Sequence, residues 1–374
     1  MWHPQSVEDT MMLAYHTAGN PGLGSYEASI TAARYLSSAR RIAAKFFGAA
    51  SPEEIGFTMN ATQAMSLILR GLFHEGDHVI TSKAEHRAVL TPLLQCAKRG
   101  VELSFLPVDG KGQIVTGECR KLLRPNTKAV VLTHGSGVTG SMTDLAPVGA
   151  FCRENGLLLV VDAAQTAGVF PIDVQETGID ILVFSGHKGI MGPEGTGGAF
   201  IRKGIRVDNV LTGEPPDTPL PAAELLEAGT PNVMGIAGLS SAILYLRNTD
   251  MAKRHHREMS MAKNFLLRIV DIPGLTIYGD PGRPDGERLP ILSLNVGQVK
   301  SGTLAELLWQ EGAVCVRAGD LGCPMMQEAF GTAERGMVRF SFSDRTLEGE
   351  VDQAAEVLRM VAAETAGSRV SPED

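Results

Sequence analysis

The stretch Ile181-Leu182-Val183-Phe184-Ser185-Gly186-His187-Lys188 decides the fold. Its first four residues form an unbroken apolar run with β-favouring side chains, as expected of a strand buried on both faces. The chain then turns at a glycine and places a lysine directly after the strand. Runs of the same kind recur at 54–58, 78–81, 102–108, 129–133, 157–161 and 198–201. Between most of them lie stretches with helical spacing, at 62–73, 85–98, 117–123 and 145–155. Strands alternating with helices predict βαβ units and an α/β fold, with a seven-stranded, mostly parallel sheet covered on both sides. Gly71, Gly100 and Gly156 follow helical stretches, where left-handed cap residues are expected.

Farther along, the pattern changes. The proline-rich stretch 213–221 reads as a loop. Long helical patterns follow at 236–246 and 251–272, then strands at 275–278, 289–295, 313–317 and 337–341, with helices at 304–311 and 349–363. These make a smaller α+β unit. The expected organisation is an N-terminal segment (1–19), a large domain (20–247), a small C-terminal domain (248–366) and a frayed tail (367–374).

Length and composition bound the function. At roughly 100–200 residues per domain, 374 residues hold two domains or three. Hydrophobic residues at 44% and charged residues at 20% are ordinary for a soluble globular chain. With 34 Lys and Arg against 42 Asp and Glu, the net charge of −8 argues against nucleic acid or an anionic membrane as partner. The N-terminus lacks a basic region and a long apolar core, so no signal peptide is expected. The five cysteines are unclustered, against a disulfide scaffold or a metal knuckle, and they suit a reducing cytoplasm. Cys96, Cys119 and Cys152 fall in predicted helices and Cys315 in a predicted strand, where thiols behave as small buried hydrophobes. Cys323 lies in a glycine-rich loop.

Four stretches carry chemistry, and each has a structural alternative. Lys188 ends a core strand, where burial lowers an amine's pKa and makes it nucleophilic toward carbonyls; a surface lysine is the alternative. Asp162, in Val161-Asp162-Ala163-Ala164-Gln165, could hold a pyridinium nitrogen protonated, the interaction that makes pyridoxal phosphate an electron sink; a helix cap is the alternative. Asn60, Ala61 and Thr62 stand where a strand turns into a helix, a site suited to phosphate or to simple capping. His86, opening another helix, could stack on a flat ring or serve structure alone. All four lie at the carboxyl ends of strands of one sheet, where such folds place ligands.

These and further stretches together resemble the class V aminotransferase family, in its cysteine desulfurase and selenocysteine lyase branch. They include FTMNATQA from Phe57, EHRAVLTPL from Glu85, THGSGVTG from Thr133, VDAAQTAGVFPIDV from Val161, FSGHKGIMGPEGTGG from Phe184, EAGTPN from Glu227, VRAG from Val316 and VRFSFS from Val338. The resemblance spans about Asn20 to Leu358. It implies the fold-type I architecture of pyridoxal 5'-phosphate transferases and lyases, with sites at the interface of a homodimer. It implies Lys188 as the Schiff-base lysine, Asp162 at the pyridine nitrogen, Gln165 near the phenolic oxygen and His86 over the ring. Thr62, Ser185 and His187 would hold the phosphate, with Thr212 preserving part of a contact to the neighbouring subunit. Arg339 would pair with the carboxylate of an amino-acid substrate. A loop cysteine, Cys323, would take the sulfur as a persulfide and pass it to an acceptor protein. No metal is implied.

The chain departs from that pattern on the substrate side. In Arg317-Ala318-Gly319-Asp320-Leu321-Gly322-Cys323-Pro324, Gly322 holds the family's cysteine position and Cys323 comes one residue late. It either still reaches the substrate sulfur or is a bystander. The family's Ser-Asn pair is Ser136-Gly137. A pocket-lining Asn-Ala-Ala-Thr segment has no counterpart before Asn20. The loop contacting the neighbouring subunit is reduced to residues 211–216. Two other readings fit the same residues: a class V aminotransferase or lyase acting on another amino acid without a persulfide, and a catalytically weak cofactor-binding scaffold.

Overall fold

A computed structural model describes residues 2–22, 24–208, 211, 221 and 223–367. Thr212, most of the proline-rich 213–221 stretch and nearly all of the expected tail lie outside the described residues.

The seven expected strands form one sheet: β1 (Ile55–Thr58), β2 (His78–Ser82), β3 (Glu102–Leu106), β4 (Thr127–Thr133), β5 (Leu158–Asp162), β6 (Ile181–Ser185) and β7 (Gly197–Ile201). Their order is β1-β7-β6-β5-β4-β2-β3. Strands β3, β2, β4, β5 and β6 are parallel, and β7 runs antiparallel to both β6 and β1.

Successive residues of the central strands feed opposite cores. Val130, Leu132, Leu159, Val161, Leu182 and Phe184 point to one side. There they meet Ala43 and Phe47 of helix Glu27–Phe47, Val148 and Cys152 of helix Leu145–Asn155, and Leu239 and Ile243 of helix Val233–Arg247. Ala129, Val131, Val160, Ile181 and Val183 point to the other side, under helices Ala61–Leu72 and Arg87–Ala97. Apolar side chains on both faces explain why the strands read as continuous apolar runs.

The second sheet has order β10-β11-β9-β8 and is antiparallel throughout: β8 (Leu275–Tyr278), β9 (Ile291–Val296), β10 (Arg317–Gly319) and β11 (Met337–Ser341). Phe265, Leu304, Leu308, Leu358 and Val361, from helices Met251–Ile269, Ser301–Gly312 and Glu348–Gly367, pack with its Leu292, Leu294, Val338 and Phe340.

Two helices that the sequence pattern did not mark precede β1, Gln5–Thr17 and Glu27–Phe47, and the first packs against helix Val233–Arg247. Several expectations are corrected. Residues 117–123 form a short helical turn, Cys119–Leu122. Gly71 lies inside helix Ala61–Leu72, not at its cap, because it lets the helix approach the Asp208 carbonyl closely. The strand expected at 313–317 begins only at Arg317, because Ala313 is the left-handed cap of the preceding helix, at φ 52°. Cys315, expected buried, is therefore exposed.

Candidate active site

Sheet register sets the carboxyl ends of the central strands side by side. Thr133 of β4 pairs with Asp162 of β5, and Asp162 with Val183 of β6. Ser185 of β6 and Thr58 of β1 both pair with Gly197. Gly197 is required there, since a Cβ would lie 2.7 Å from both the Asn60 Cα and the Phe184 carbonyl oxygen. The turn after β1 can therefore press against β6, and Ala61 N donates to Ser185 Oγ at 3.2 Å.

Above these ends lies a cavity of about 360 Å³. Thr62, His86, Asp162, Gln165, Ser185, His187, Lys188, Cys323 and Arg339 all line it, as does Ala61. Asn60 does not; its side chain caps helix Ala61–Leu72 by accepting from Gln63 N at 2.9 Å. The cavity thus gathers nearly every expected site residue within the described part of the chain.

Each group arrives with a defined state. Asp162 is buried, and its Oδ1 accepts from Ala164 N at 2.9 Å. His86 caps its helix, with Nδ1 accepting from Ala88 N at 3.1 Å, which leaves the ring proton on Nε2. Burial lowers its pKa, outweighing the pull of Asp162, so the ring is neutral at neutral pH. Burial also lowers the Lys188 pKa; Asp162 opposes this and Arg339 adds to it. A larger neutral fraction leaves more of the amine free to act as nucleophile or proton acceptor.

Arg339, on β11, brings the second sheet to the cavity. Its Nη1 donates to the Gly137 carbonyl at 2.8 Å, while its buried Nε has no partner. A buried, unpaired guanidinium N–H is costly and fits an anionic group. Gly137 replaces the family's asparagine where a Cβ would stand 2.9 Å from Gln165 Nε2.

The loop 319–323 closes the remaining side. Cys323 lines the cavity and is 2% exposed, and burial first, then Glu85 and Asp162, push its thiol up to about 12. Leu321 takes a left-handed conformation at φ 53° and is buried. At Gly322, with φ 76°, a Cβ would collide with His86 Nε2. The position that holds cysteine in the resembling pattern has no room for a side chain in this loop.

Sequence reasoning gave no role to Thr133, Arg317 or Leu321, which also line the cavity. The first two stand inside the THGSGVTG and VRAG stretches, the signal that could have marked them. Glu85, which opens the EHRAVLTPL stretch, carries no expected role either. It is almost fully buried, its Oε1 accepting from Ser82 Oγ at 2.5 Å and Thr133 N at 3.1 Å. Among the described residues, no group of three His, Cys, Asp or Glu is placed to hold a metal ion, and no helix is long and apolar enough to cross a membrane.

A parallel sheet with ligand-facing strand ends, a strand-end lysine and a carboxylate beneath it define the fold-type I class of transferases. The family model for class-V aminotransferases matches residues 2–354, and the chain belongs to this family. A probable cysteine desulfurase from Methanothermobacter thermautotrophicus is 30% identical over 357 residues, covering 92% of this chain and 88% of that protein. The cysteine desulfurase IscS of Vibrio campbellii is 31% identical over 354 residues, covering 92% and 85%. Among solved structures, the apo cysteine desulfurase of Thermococcus onnurineus superposes with a TM-score of 0.89 at 28% identity, covering 97% of this chain and 93% of that one. The Escherichia coli cysteine desulfurase CsdA gives 0.84 at 26%, covering 97% and 92%.

Proposed function

We propose that the protein is a pyridoxal phosphate-dependent enzyme of the cysteine desulfurase type, removing sulfur from cysteine, or selenium from selenocysteine, to leave alanine. The observation that carries this reading is the convergence of Lys188, Asp162, His86 and the unpaired Arg339 Nε on one cavity. Family membership and relatives named as cysteine desulfurases support it. A homodimer in the cytoplasm is part of the same proposal.

The residues present fit the cofactor. Asp162 would hold the pyridine nitrogen protonated, the neutral His86 ring would cover one face, and Gln165 would stand by the phenolic oxygen. Thr62, Ser185 and His187, beside the N-terminus of helix Ala61–Leu72, would hold the phosphate. Lys188 would bind the aldehyde carbon. When bound, the group supplies an electron sink for negative charge developing at the substrate Cα.

The chain's own residues supply the rest. Arg339 would anchor the substrate carboxylate through Nε, a charge-assisted bond in a nearly dry site. The Lys188 amine, once displaced, would carry a proton to and from Cα. Cys323 is the thiol nearest to hand for the substrate sulfur. With its pKa near 12 it is protonated at neutral pH, so its proton must leave within the cavity before it attacks.

That same burial, with Gly322 in the usual cysteine position, favours one second reading: a class V lyase or transaminase that uses no persulfide. A single experiment separates the two. The purified protein loaded with cofactor should show a Schiff-base absorbance that is absent in Lys188→Ala. Added cysteine should yield alanine in equal amount with persulfide, or with sulfide when a thiol reductant is supplied, and Cys323→Ser should lose the persulfide while keeping the absorbance. Undiminished turnover of Cys323→Ser selects the second reading, and a wild type that takes up no cofactor overturns both.

A further inference from the structure

The loop carrying Cys323 is tied down at several points. Asp320 forms an ion pair with Arg87, the residue directly after His86. Asp320 Oδ1 accepts from Gly322 N at 2.9 Å, and its carbonyl accepts from Cys323 N at 3.0 Å and from Gln327 Nε2 at 3.3 Å. The Gly322 carbonyl accepts from Arg87 N at 2.7 Å, which joins the loop to the start of helix Arg87–Ala97. Gly319 N donates to Ser301 Oγ at 3.2 Å. Cys323 itself starts helix Pro324–Ala329 and packs with Ala84, Val138, Met326 and Met337. Cys323 lines the cavity and is almost wholly shut off from the outer surface.

We infer that Arg87 and Asp320 latch the 319–323 loop shut, so that sulfur held on Cys323 passes to a low-molecular-weight thiol entering the cavity, not to the cysteine of an acceptor protein. This rests on the reading of Cys323 as the sulfur carrier. Cys323 is 2% exposed behind loop 319–323 and faces the cofactor cavity, so a small thiol can reach it there while the backbone that flanks a protein cysteine is held off. The transfer is redox-neutral. The entering thiolate attacks the outer sulfur of the Cys323 persulfide, a new S–S bond forms as the bond to Cys323 Sγ breaks, and Cys323 leaves with the electron pair. It then takes up the proton that the entering thiol lost. Arg87 and Asp320 touch neither substrate nor cofactor and act through the loop, so they set acceptor choice and not the chemistry.

The ion pair is largely exposed, so its loss alone weakens the latch modestly. The part-buried bond from Gly322 N to the Asp320 carboxylate, which holds the turn of the loop itself, matters more. The test uses the cofactor-loaded full chain and two alkylating reagents, iodoacetamide and a maleimide on a large polyethylene glycol chain, read at each cysteine by mass spectrometry. Exposed Cys315 is the internal standard. Iodoacetamide should reach Cys323 slowly, and the large maleimide should label Cys315 alone. Arg87→Ala should raise large-reagent labelling of Cys323 roughly five-fold. Asp320→Ala should raise it on the order of tens-fold, with Asp320→Asn, which keeps an acceptor for Gly322 N, between the two. After one turnover with cysteine, 2-mercaptoethanol should clear the wild-type persulfide and reduced thioredoxin should not, whereas Asp320→Ala should yield it to both. Wild-type Cys323 reacting with the large maleimide as fast as Cys315, or passing sulfur to thioredoxin, overturns the inference. Size-selective labelling set by Arg87 and Asp320 with no persulfide on Cys323 keeps the latch but overturns the acceptor assignment, and with it the sulfur-carrier reading.

Discussion

Asp162, Ser185 and Thr133 stand on strand ends in paired register, while Leu321, Gly322 and Cys323 stand on a loop between β10 of the second sheet and the short helix Pro324–Ala329. The first wall of the cavity is fixed by ladders whose side chains feed two cores, so its groups hold their places through packing on both faces. The second wall is fixed by local contacts around Asp320 and by three residues at positive φ, Gly319, Leu321 and Gly322. Strand ends tolerate little change without loss of the sheet. A loop can accept a one-residue shift of its thiol and still close. The difference explains how the residues proposed for the cofactor can keep the family pattern nearly complete while those proposed for the substrate depart from it.

The hardest test of that contrast falls on the one substrate-side group that does stand on a strand. Arg339→Ala removes the guanidinium expected to bind the carboxylate and should lower kcat/KM for cysteine roughly 10²–10³-fold, mostly through KM. Its cofactor absorbance should remain, because the strand-end wall is untouched. Loss of absorbance together with activity would break the separation of the two walls. A smaller effect is expected from Gly322→Cys, which restores the family's residue at its usual position. The left-handed φ costs about 1–2 kcal/mol for a residue with a Cβ, and the side chain meets His86. The variant should melt a few °C lower and shift the cofactor absorbance, measured by thermal denaturation and visible spectroscopy. A gain in both stability and persulfide yield would show that the loop adapts freely.

The same contrast decides what could be read in advance. The seven strands were legible because side chains buried on both faces leave unbroken apolar runs, and Lys188 and Asp162 were legible because they directly follow such runs. Helix Glu27–Phe47 was not, because much of its buried face is alanine, with Ala32, Ala39, Ala43 and Ala44, which gives little contrast in a hydrophobic pattern. Residues 313–316 carry strand-like side chains, yet Ala313 is spent on a left-handed cap, which no propensity signals. The shift of Cys323 was visible in sequence, but its burial was not. That depends on contacts from Asp320 to Arg87, residues far apart in the chain. Glu85 is the same kind of case, since its partners Ser82 and Thr133 come from two different strands.

Glu85 also gives the finest probe of how the strand-end wall is held. Burial, followed by smaller opposing bonds from Ser82 and Thr133, raises its carboxyl from 4.5 to about 8. A pKa raised in the folded state means that its stabilising contribution is complete below about 4.5, declines as pH rises, and is gone above about 8. Glu85→Gln keeps an acceptor for Thr133 N and Ser82 Oγ but cannot ionise. The melting temperature of the variant should match the wild type near about pH 5 and exceed it by on the order of a few °C near about pH 9. Buried His134, lowered to about 4, works in the opposite sense, its contribution being complete above 6.5 and lost as pH falls through 4. It is common to both proteins and cancels in the difference. If the difference is flat with pH, Glu85 is ionised in the fold and the strand-end wall holds a buried charge instead of a neutral acid. If it grows as expected, a neutral Glu85 joins β2 and β4 by accepting from Ser82 and Thr133, and the loop wall has no counterpart to that link.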